Sequence, residues 1–281
     1  MTIGVMLAVL GAAMLHAFWN ALVKSGADKA AGVGAVTLGH LLAAILIIPF
    51  VPLPDPSSFG LLLAGVTLHL GYQIFLIESY RIGDLTQVYP IARGVAPLVV
   101  AGVSVAFLGV QLAPLEMLSI LLIAMGILSL SLVRRETGLR NTPAAGLALI
   151  TGLFIAGYSL VDGLGARLSG HSLSYFAWLS VMNATLMAGY LRLRFPGTLR
   201  AIPRLHMRVL LIGGGASFAA YAIVVWAFTQ APIALVTALR ETSIIFALLI
   251  GVGVMKERLD LAKVVATAAT LAGAVLLRIA R

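Results

Sequence analysis

The sequence contains no cysteine. That excludes disulfides, thiol nucleophiles and Cys-ligated metals or clusters. Charge is scarce as well: Asp, Glu, Lys and Arg make up 10% of the 281 residues, where an ordinary soluble domain carries about 25%. Acidic residues are the rarer sign, 10 against 19 basic ones, for a formal net charge of +9. No glycine-rich phosphate loop is present, so an ATP motor is not expected. No His/Asp/Glu set has metal-ligand spacing, and no nucleophile–base pairing is visible. Neither a metal, another cofactor nor an enzymatic activity is therefore expected. Aromatics amount to 7%, so those lying beside a polar residue attract notice.

What the chain has in abundance is apolar sequence, 61% of all residues. Apolar runs of about 20 residues recur from end to end, the length a helix needs to cross a bilayer. The expected fold is all-α and integral to the membrane, with ten transmembrane helices near 3–23, 32–51, 59–80, 85–108, 112–133, 143–165, 172–192, 208–229, 232–255 and 260–279. The first run lacks a basic start and a small-residue cleavage site, so it is read as a span rather than a removable leader. Polar punctuation separates the runs: "PFVPLPDPSS" (49–58), "RRETGLRNTP" (134–143) and "RLRFPGTLRAIPRLHMR" (192–208).

The basic residues sort by side. Lys24, Lys29, Arg81, Arg134, Arg135, Arg140, Arg192, Arg194, Arg200, Arg204, Arg208, Lys256, Arg258 and Lys263 lie at the ends of odd-numbered spans. Arg167, Arg278 and Arg281 lie on the other side. The bias of Lys and Arg toward the cytoplasm then places both termini outside. It also accounts for the positive net charge, so no nucleic-acid partner is expected.

The chain repeats itself. "SYRIGDLTQVYPIARGVAPLVV" (79–100) aligns without a gap on "AFTQAPIALVTALRETSIIFAL" (227–248), 148 residues later. "AFWNALVKSGA" (17–27) faces "AGYSLVDGLGA" (156–166) at an offset of 139. The expected halves are 1–137 and 138–281, five helices each. Five is odd, so the second half enters from the opposite side. The result is an inverted repeat, with a binding site between the halves near mid-membrane.

Matched places in the two halves carry charge. Arg93 lies nine residues past Asp84, and Arg240 eight past Pro232. At 1.5 Å per residue each is roughly 12–14 Å deep in a core of about 30 Å. A charge there costs about 2.5–3.5 kcal/mol on insertion scales and needs an internal partner or a water-filled path. Two readings stay open: an internal salt bridge of Glu241 with Arg93 or Arg240, or a site for a charged substrate group. Two arginines against one glutamate leave one positive charge in excess. That favours a carboxylate, phosphonate or phosphate, which guanidinium binds with paired hydrogen bonds. Glu241 would meet an amine or carry a coupling proton. Pro90 is expected to kink the fourth helix just before Arg93, and Pro97 to loosen it further on.

Other candidates surround these. His16, Trp19 and Asn20 share one helix face by their spacing, and Tyr158 and Ser159 match Trp19 and Asn20 across the repeat. Tyr72 and Gln73 lie in the third span, Tyr89 beside Arg93, and Tyr221 and Trp226 in the eighth. The substrate-binding set is Arg93, Arg240, Glu241, Tyr72, Tyr221, Tyr89, Trp19, Asn20 and Tyr158. Glu241, His16 and Glu78 are the proton-coupling candidates, with His69 a further possible relay. Glu78 and Asp162 lie near span ends, within reach of headgroups. Gly213, Gly214, Gly215, Gly251 and Gly253 are read as close helix contacts.

Ten spans, a five-plus-five repeat and "KERLDL" (256–261) after the ninth span resemble the EamA-type transporters of the drug/metabolite transporter superfamily. "KERL" (256–259) matches their end-of-span turn, while its first-half counterpart "GVQL" (109–112) lacks the glutamate. The resemblance spans the whole chain. It implies helices arranged around a central cavity, alternating access, and movement of small metabolites such as amino acids. On that analogy the third, fourth, eighth and ninth spans line the cavity, helped by the first and sixth. Tyr72, Arg93, Tyr221, Arg240 and Glu241 then face it. Exporters of this kind are drawn with both termini in the cytoplasm, opposite to the charge count here.

The expectation is a secondary active transporter of a small anionic or zwitterionic metabolite, an amino acid-like, organic-acid or phosphonate-like compound. It would be multi-pass in an inner (plasma) membrane and driven by protons. The alternative is a lipid-handling flippase or a non-transporting membrane partner. Both halves lie in one chain, so a monomer suffices and a dimer is not required.

Overall fold

The computed structural model describes residues 1–24, 28–83, 85–130, 142–253 and 261–280. Asp84, the basic stretch 134–140, the "KERL" turn and Arg281 lie outside the described residues. Among the described residues the regular structure is helical throughout. In chain order the α-helices are α1 (Ile3–Lys24), α2 (Lys29–Ile47), α3 (Phe59–Ile82), α4 (Leu85–Phe107), α5 (Pro114–Ser129), α6 (Thr142–Leu168), α7 (Ser172–Arg194), α8 (Thr198–Leu205), α9 (Gly214–Gln230), α10 (Ile233–Arg240), α11 (Ser243–Gly253) and α12 (Leu261–Ile279). A π-helical turn, Val209–Gly213, leads into α9.

Eight stretches are long and apolar enough to cross a membrane: Ile3–Val23, Lys29–Phe50, Pro56–Ile82, Val88–Phe107, Thr142–Leu168, Val209–Gln230, Ile233–Gly253 and Leu261–Ile279. The chain is thus an all-α protein with the helices of a multi-pass membrane protein. α5 is apolar but has only 16 residues. α7 has 23 residues and falls outside that set because Ser174, Ser180 and Asn183 interrupt it; all three are buried.

Helix starts follow local chemistry. The Asp28 carboxylate accepts the Ala31 N–H at 2.9 Å, filling one of the orphan donors of α2. α5 opens on Pro114, and its Glu116 accepts the Ala113 N–H at 3.0 Å. Gly197, at φ +92°, turns the chain into α8. α8 buries Ile202 completely while Leu205 and Arg204 face outward.

The helices pack in pairs. α3 and α4 both lie along α6, α5 lies on α12, α2 on α7, and α1 on α9 and α11. Where α2 crosses α9 the backbones touch. A Cβ on Gly39 would collide with the Leu210 carbonyl oxygen and come within 2.6 Å of the Gly214 Cα. Glycine is required at that crossing. Gly215 and Gly253 face open space instead, and a Cβ on Gly213 would meet only Val209, one turn back. Of those glycines, Gly214 is the one shown in a close helix contact.

Pro90 and Pro97 lie inside α4, which stays helical from Leu85 to Phe107 without a break. The break falls in the segment without proline, between α10 and α11, at Arg240–Thr242. There the ladder tightens to three-residue bonds, Glu241 N–H to Ala238 O at 3.0 Å and Thr242 N–H to Leu239 O at 3.1 Å. The Thr242 hydroxyl also donates to Leu239 O, at 2.7 Å. A side chain that bonds its own preceding turn competes with helix continuation. Arg240, in the last turn of α10, places its cation at the negative end of that helix.

Gly39→Ala is expected to lower the apparent Tm of the purified protein by forcing α2 from α9, a loss of about 1–3 kcal/mol. Gly102→Ala, whose added methyl meets nothing within 4 Å, is expected to leave it unchanged or slightly raised. Equal shifts in a thermal unfolding assay would sink the packing argument.

Candidate functional site

Glu241 sits at the break with a guanidinium on either side. Arg93 Nε is 2.8 Å from Glu241 Oε2, and Arg240 Nε is 3.8 Å from Glu241 Oε1. All three side chains are buried. The 2.8 Å approach is close, but the Arg93 N–H is not aimed along it, and the Nη2 atoms of both arginines lack a hydrogen-bond partner. Two guanidiniums against one carboxylate leave a net charge of +1, with unspent donors on both cations. The expected internal salt bridge is present, and it leaves the arginines unsaturated.

Arg93 and Arg240 line a cavity that opens to solvent. α1 contributes His16, Trp19 and Asn20; α2 Thr37 and His40; α3 His69, Tyr72, Gln73 and Tyr80. Tyr89 comes from α4, Tyr158 from α6, Ser180 and Asn183 from α7, and Ser217 and Tyr221 from α9. On α3 the lining positions 69, 72, 73, 76 and 80 follow the helical period, so one face of that helix is turned to the cavity.

Most of the candidates read from sequence meet here. Arg93, Arg240, Tyr72, Tyr89, Tyr158, Tyr221, Trp19, Asn20 and His16 all line the one cavity. Aromatic faces attend the cations: the Arg93 Cζ is 6.0 Å from the Tyr89 ring centre, and the Arg240 Cζ 5.9 Å from that of Tyr221, within reach of cation–π attraction. His16 and Trp19 meet edge to face at 5.1 Å. The Asn20 amide donates to its own helix, to His16 O at 2.8 Å. Glu241 is not part of the lining; it lies buried, paired to both arginines. Glu78 is elsewhere, in a half-exposed pair with Arg81 at 2.6 Å.

Asp162 departs from expectation. It does not reach headgroups: it is fully buried. Its Oδ2 accepts the Tyr221 hydroxyl at 2.7 Å and lies 2.7 Å from His69 Nε2. His69 stacks on Tyr158 at 4.1 Å. Tyr221 thus joins two charge clusters, its ring against Arg240 and its hydroxyl on Asp162. Arg167, nearby on α6, donates to Phe228 O at 2.9 Å and Ala231 O at 3.0 Å. It caps the end of α9 and holds that helix in register with α6.

Sequence reading passed over Thr37, His40, Ser180 and Asn183. The second and seventh spans were not expected at the cavity, yet both line it. The available signal was the three-residue spacing of Thr37–His40 and of Ser180–Asn183, which puts each pair on one face of its helix.

No family model matches the chain, and no curated protein matches it. A solved crystal structure, described only as that of a protein, covers 99% of this chain and 98% of its own at a TM-score of 0.73 and 18% identity. The likeness at that identity is one of fold, and it extends over essentially the full length of both chains.

Glu241→Gln is expected to destabilise the protein by about 3–5 kcal/mol, because it leaves two buried cations without a counter-charge. Adding Arg93→Gln to that variant is expected to recover part of the loss. The check is a comparison of apparent Tm among the single and double variants; a single variant as stable as the parent would remove Glu241 from its structural role.

Proposed function

We propose that this chain is a secondary active transporter of a small anionic or zwitterionic metabolite. On this reading it has ten transmembrane helices in two inverted halves, 1–137 and 138–281, of the EamA type, in an inner (plasma) membrane. The observation that carries the substrate class is the pair of buried arginines on the cavity wall with one carboxylate between them. With Glu241 ionised the group carries one excess positive charge, and an anion on the cavity side of Arg93 and Arg240 offsets it.

The packing supports the repeat. α3 lies on α6 as α9 lies on α1, and α4 lies on α6 as α10 and α11 lie on α1. α2 with α7, and α5 with α12, each join a helix to its own counterpart. Exchanging the halves maps this set of contacts onto itself. The break between α10 and α11 supports a site there, since transporters commonly bind charged groups at interrupted helices.

Glu241 is the carboxylate through which we couple protons to transport. A proton on it leaves both guanidiniums unopposed and strengthens their hold on an anion. By reciprocity, proton and anion load together. Release on the far side follows when the proton leaves and Glu241 reclaims Arg93.

The test begins with a thermal-shift screen of the purified protein against amino acids, phosphonates, organic anions and amines, since a bound ligand stabilises only the folded state. Carboxylates or phosphonates are expected to raise the apparent Tm, and amines alone are not. In proteoliposomes, Arg93→Ala and Arg240→Ala are each expected to slow uptake of the stabilising compound about 30-fold or more, the equivalent of a lost charged contact worth about 2 kcal/mol or more. Parental rates in both variants would overturn the proposal.

A further inference from the structure

The arginines occupy one wall of the cavity. Another wall carries polar groups that an anion does not use. Thr37 on α2, Gln73 on α3, and Ser180 and Asn183 on α7 all line the cavity. Each is more than nine-tenths buried.

Their hydrogen bonds dictate which atoms remain free. The Thr37 hydroxyl donates to Val33 O at 2.9 Å, so toward Gln73 it can only accept. Gln73 therefore faces it with Nε2, at 3.1 Å. The same Nε2 donates to Asn183 Oδ1 at 2.9 Å. Both amide hydrogens of Gln73 are thereby used, and the orientation of Asn183 follows. Left without a hydrogen-bond partner are Gln73 Oε1, Asn183 Nδ2 and Ser180 Oγ. Buried polar atoms are rarely left so, and all three belong to side chains of residues that line this cavity.

The chemistry of these atoms is specific. Oε1 only accepts and Nδ2 only donates, and the Gln73–Asn183 bond fixes which amide atom is which. An ammonium offers donors alone and leaves Nδ2 unmet. A carboxylate offers acceptors alone and leaves Oε1 unmet. A hydroxyl or a primary carboxamide satisfies both, and the Ser180 hydroxyl adds a group that adapts to either.

The two sets of groups come from different helices: Thr37, Gln73, Ser180 and Asn183 from α2, α3 and α7, the arginines from α4 and α10. One molecule reaching both must be bifunctional. We propose that Gln73, Asn183 and Ser180 form a second subsite for an uncharged group that both donates and accepts hydrogen bonds. The substrate is then a small organic anion bearing a hydroxyl or carboxamide at the end away from its acid. This rests on the anion-transport reading and narrows it: plain alkanoates, dicarboxylates and amino acids with a distal amine bind less well.

The experiment is a thermal-shift titration of the purified full chain with chain-matched acids. The probes are butyrate, 4-hydroxybutyrate, succinamate, succinate and 4-aminobutyrate, with the six-carbon set alongside. The hydroxyl and carboxamide acids of one chain length are expected to stabilise at concentrations about ten-fold or more below the other three, since a site built to hydrogen-bond rejects analogues that leave it unmet. Asn183→Leu, similar in shape, is expected to abolish that preference, so that the hydroxyl and carboxamide acids stabilise no better than the other three. Ser180→Ala removes a hydroxyl with no protein partner, so it is expected to fold normally and weaken the preference about two- to five-fold. Equal stabilisation by all five acids, lost in Arg93→Ala, would overturn the second subsite and leave the anion site standing. No stabilisation by any of them would overturn both.

Discussion

Glu241 is the group on which the buried electrostatics depend. Two guanidiniums lie within the helix bundle, and this carboxylate, at 2.8 Å from one and 3.8 Å from the other, is what permits them to be there. The helix breaks at that residue. The break lets one side chain sit between α4 and α10 and ends α10 where its dipole favours Arg240. Charge compensation and backbone geometry are therefore one constraint. Because the compensation is incomplete, the same constraint leaves the wall electropositive.

Everything around that wall concerns how a cavity is kept open in a bundle built largely of small side chains. At the periphery, glycine and alanine bring helices into backbone contact, as at Gly39 against Gly214 and at Gly273 against the Ser119 carbonyl oxygen, 2.9 Å from where a Cβ would lie. Toward the centre the side chains become aromatic or polar and prop the helices apart. Tyr158, His69 and Tyr221 stack and cross at 4.1 to 5.8 Å. Tyr221 also links Arg240 to Asp162, so the positive and negative clusters share one rigid aromatic strut.

Much of this was legible without a structure. The apolar period and length of the helices, the polar turns and the matched placing of Arg93 and Arg240 are all local properties of the chain. Burial of a charge in an apolar run is also local, because the energetic cost of leaving it unpaired demands a partner. That is why Glu241 could be expected to pair with Arg93 or Arg240, or all three to serve a charged substrate; only the structure put Arg93 at 2.8 Å from it. The interruption between α10 and α11 was not legible in this way: it has no proline, and it arises where Thr242 and the charge pair draw on the backbone.

The sequence by itself determined the class of the molecule, the approximate helices and the existence of a compensated charge deep within them. These follow from hydrophobic run length and the cost of an unpaired ion, which need no neighbour to evaluate. Only the tertiary structure decided that Thr37, Gln73, Ser180 and Asn183, from three helices, make one polar wall, and that Asp162 turns inward to His69 and Tyr221 rather than outward to headgroups. Each of those residues is unremarkable on its own helix. Its role depends on which face a neighbouring helix covers, and that is set by helix packing across the whole bundle.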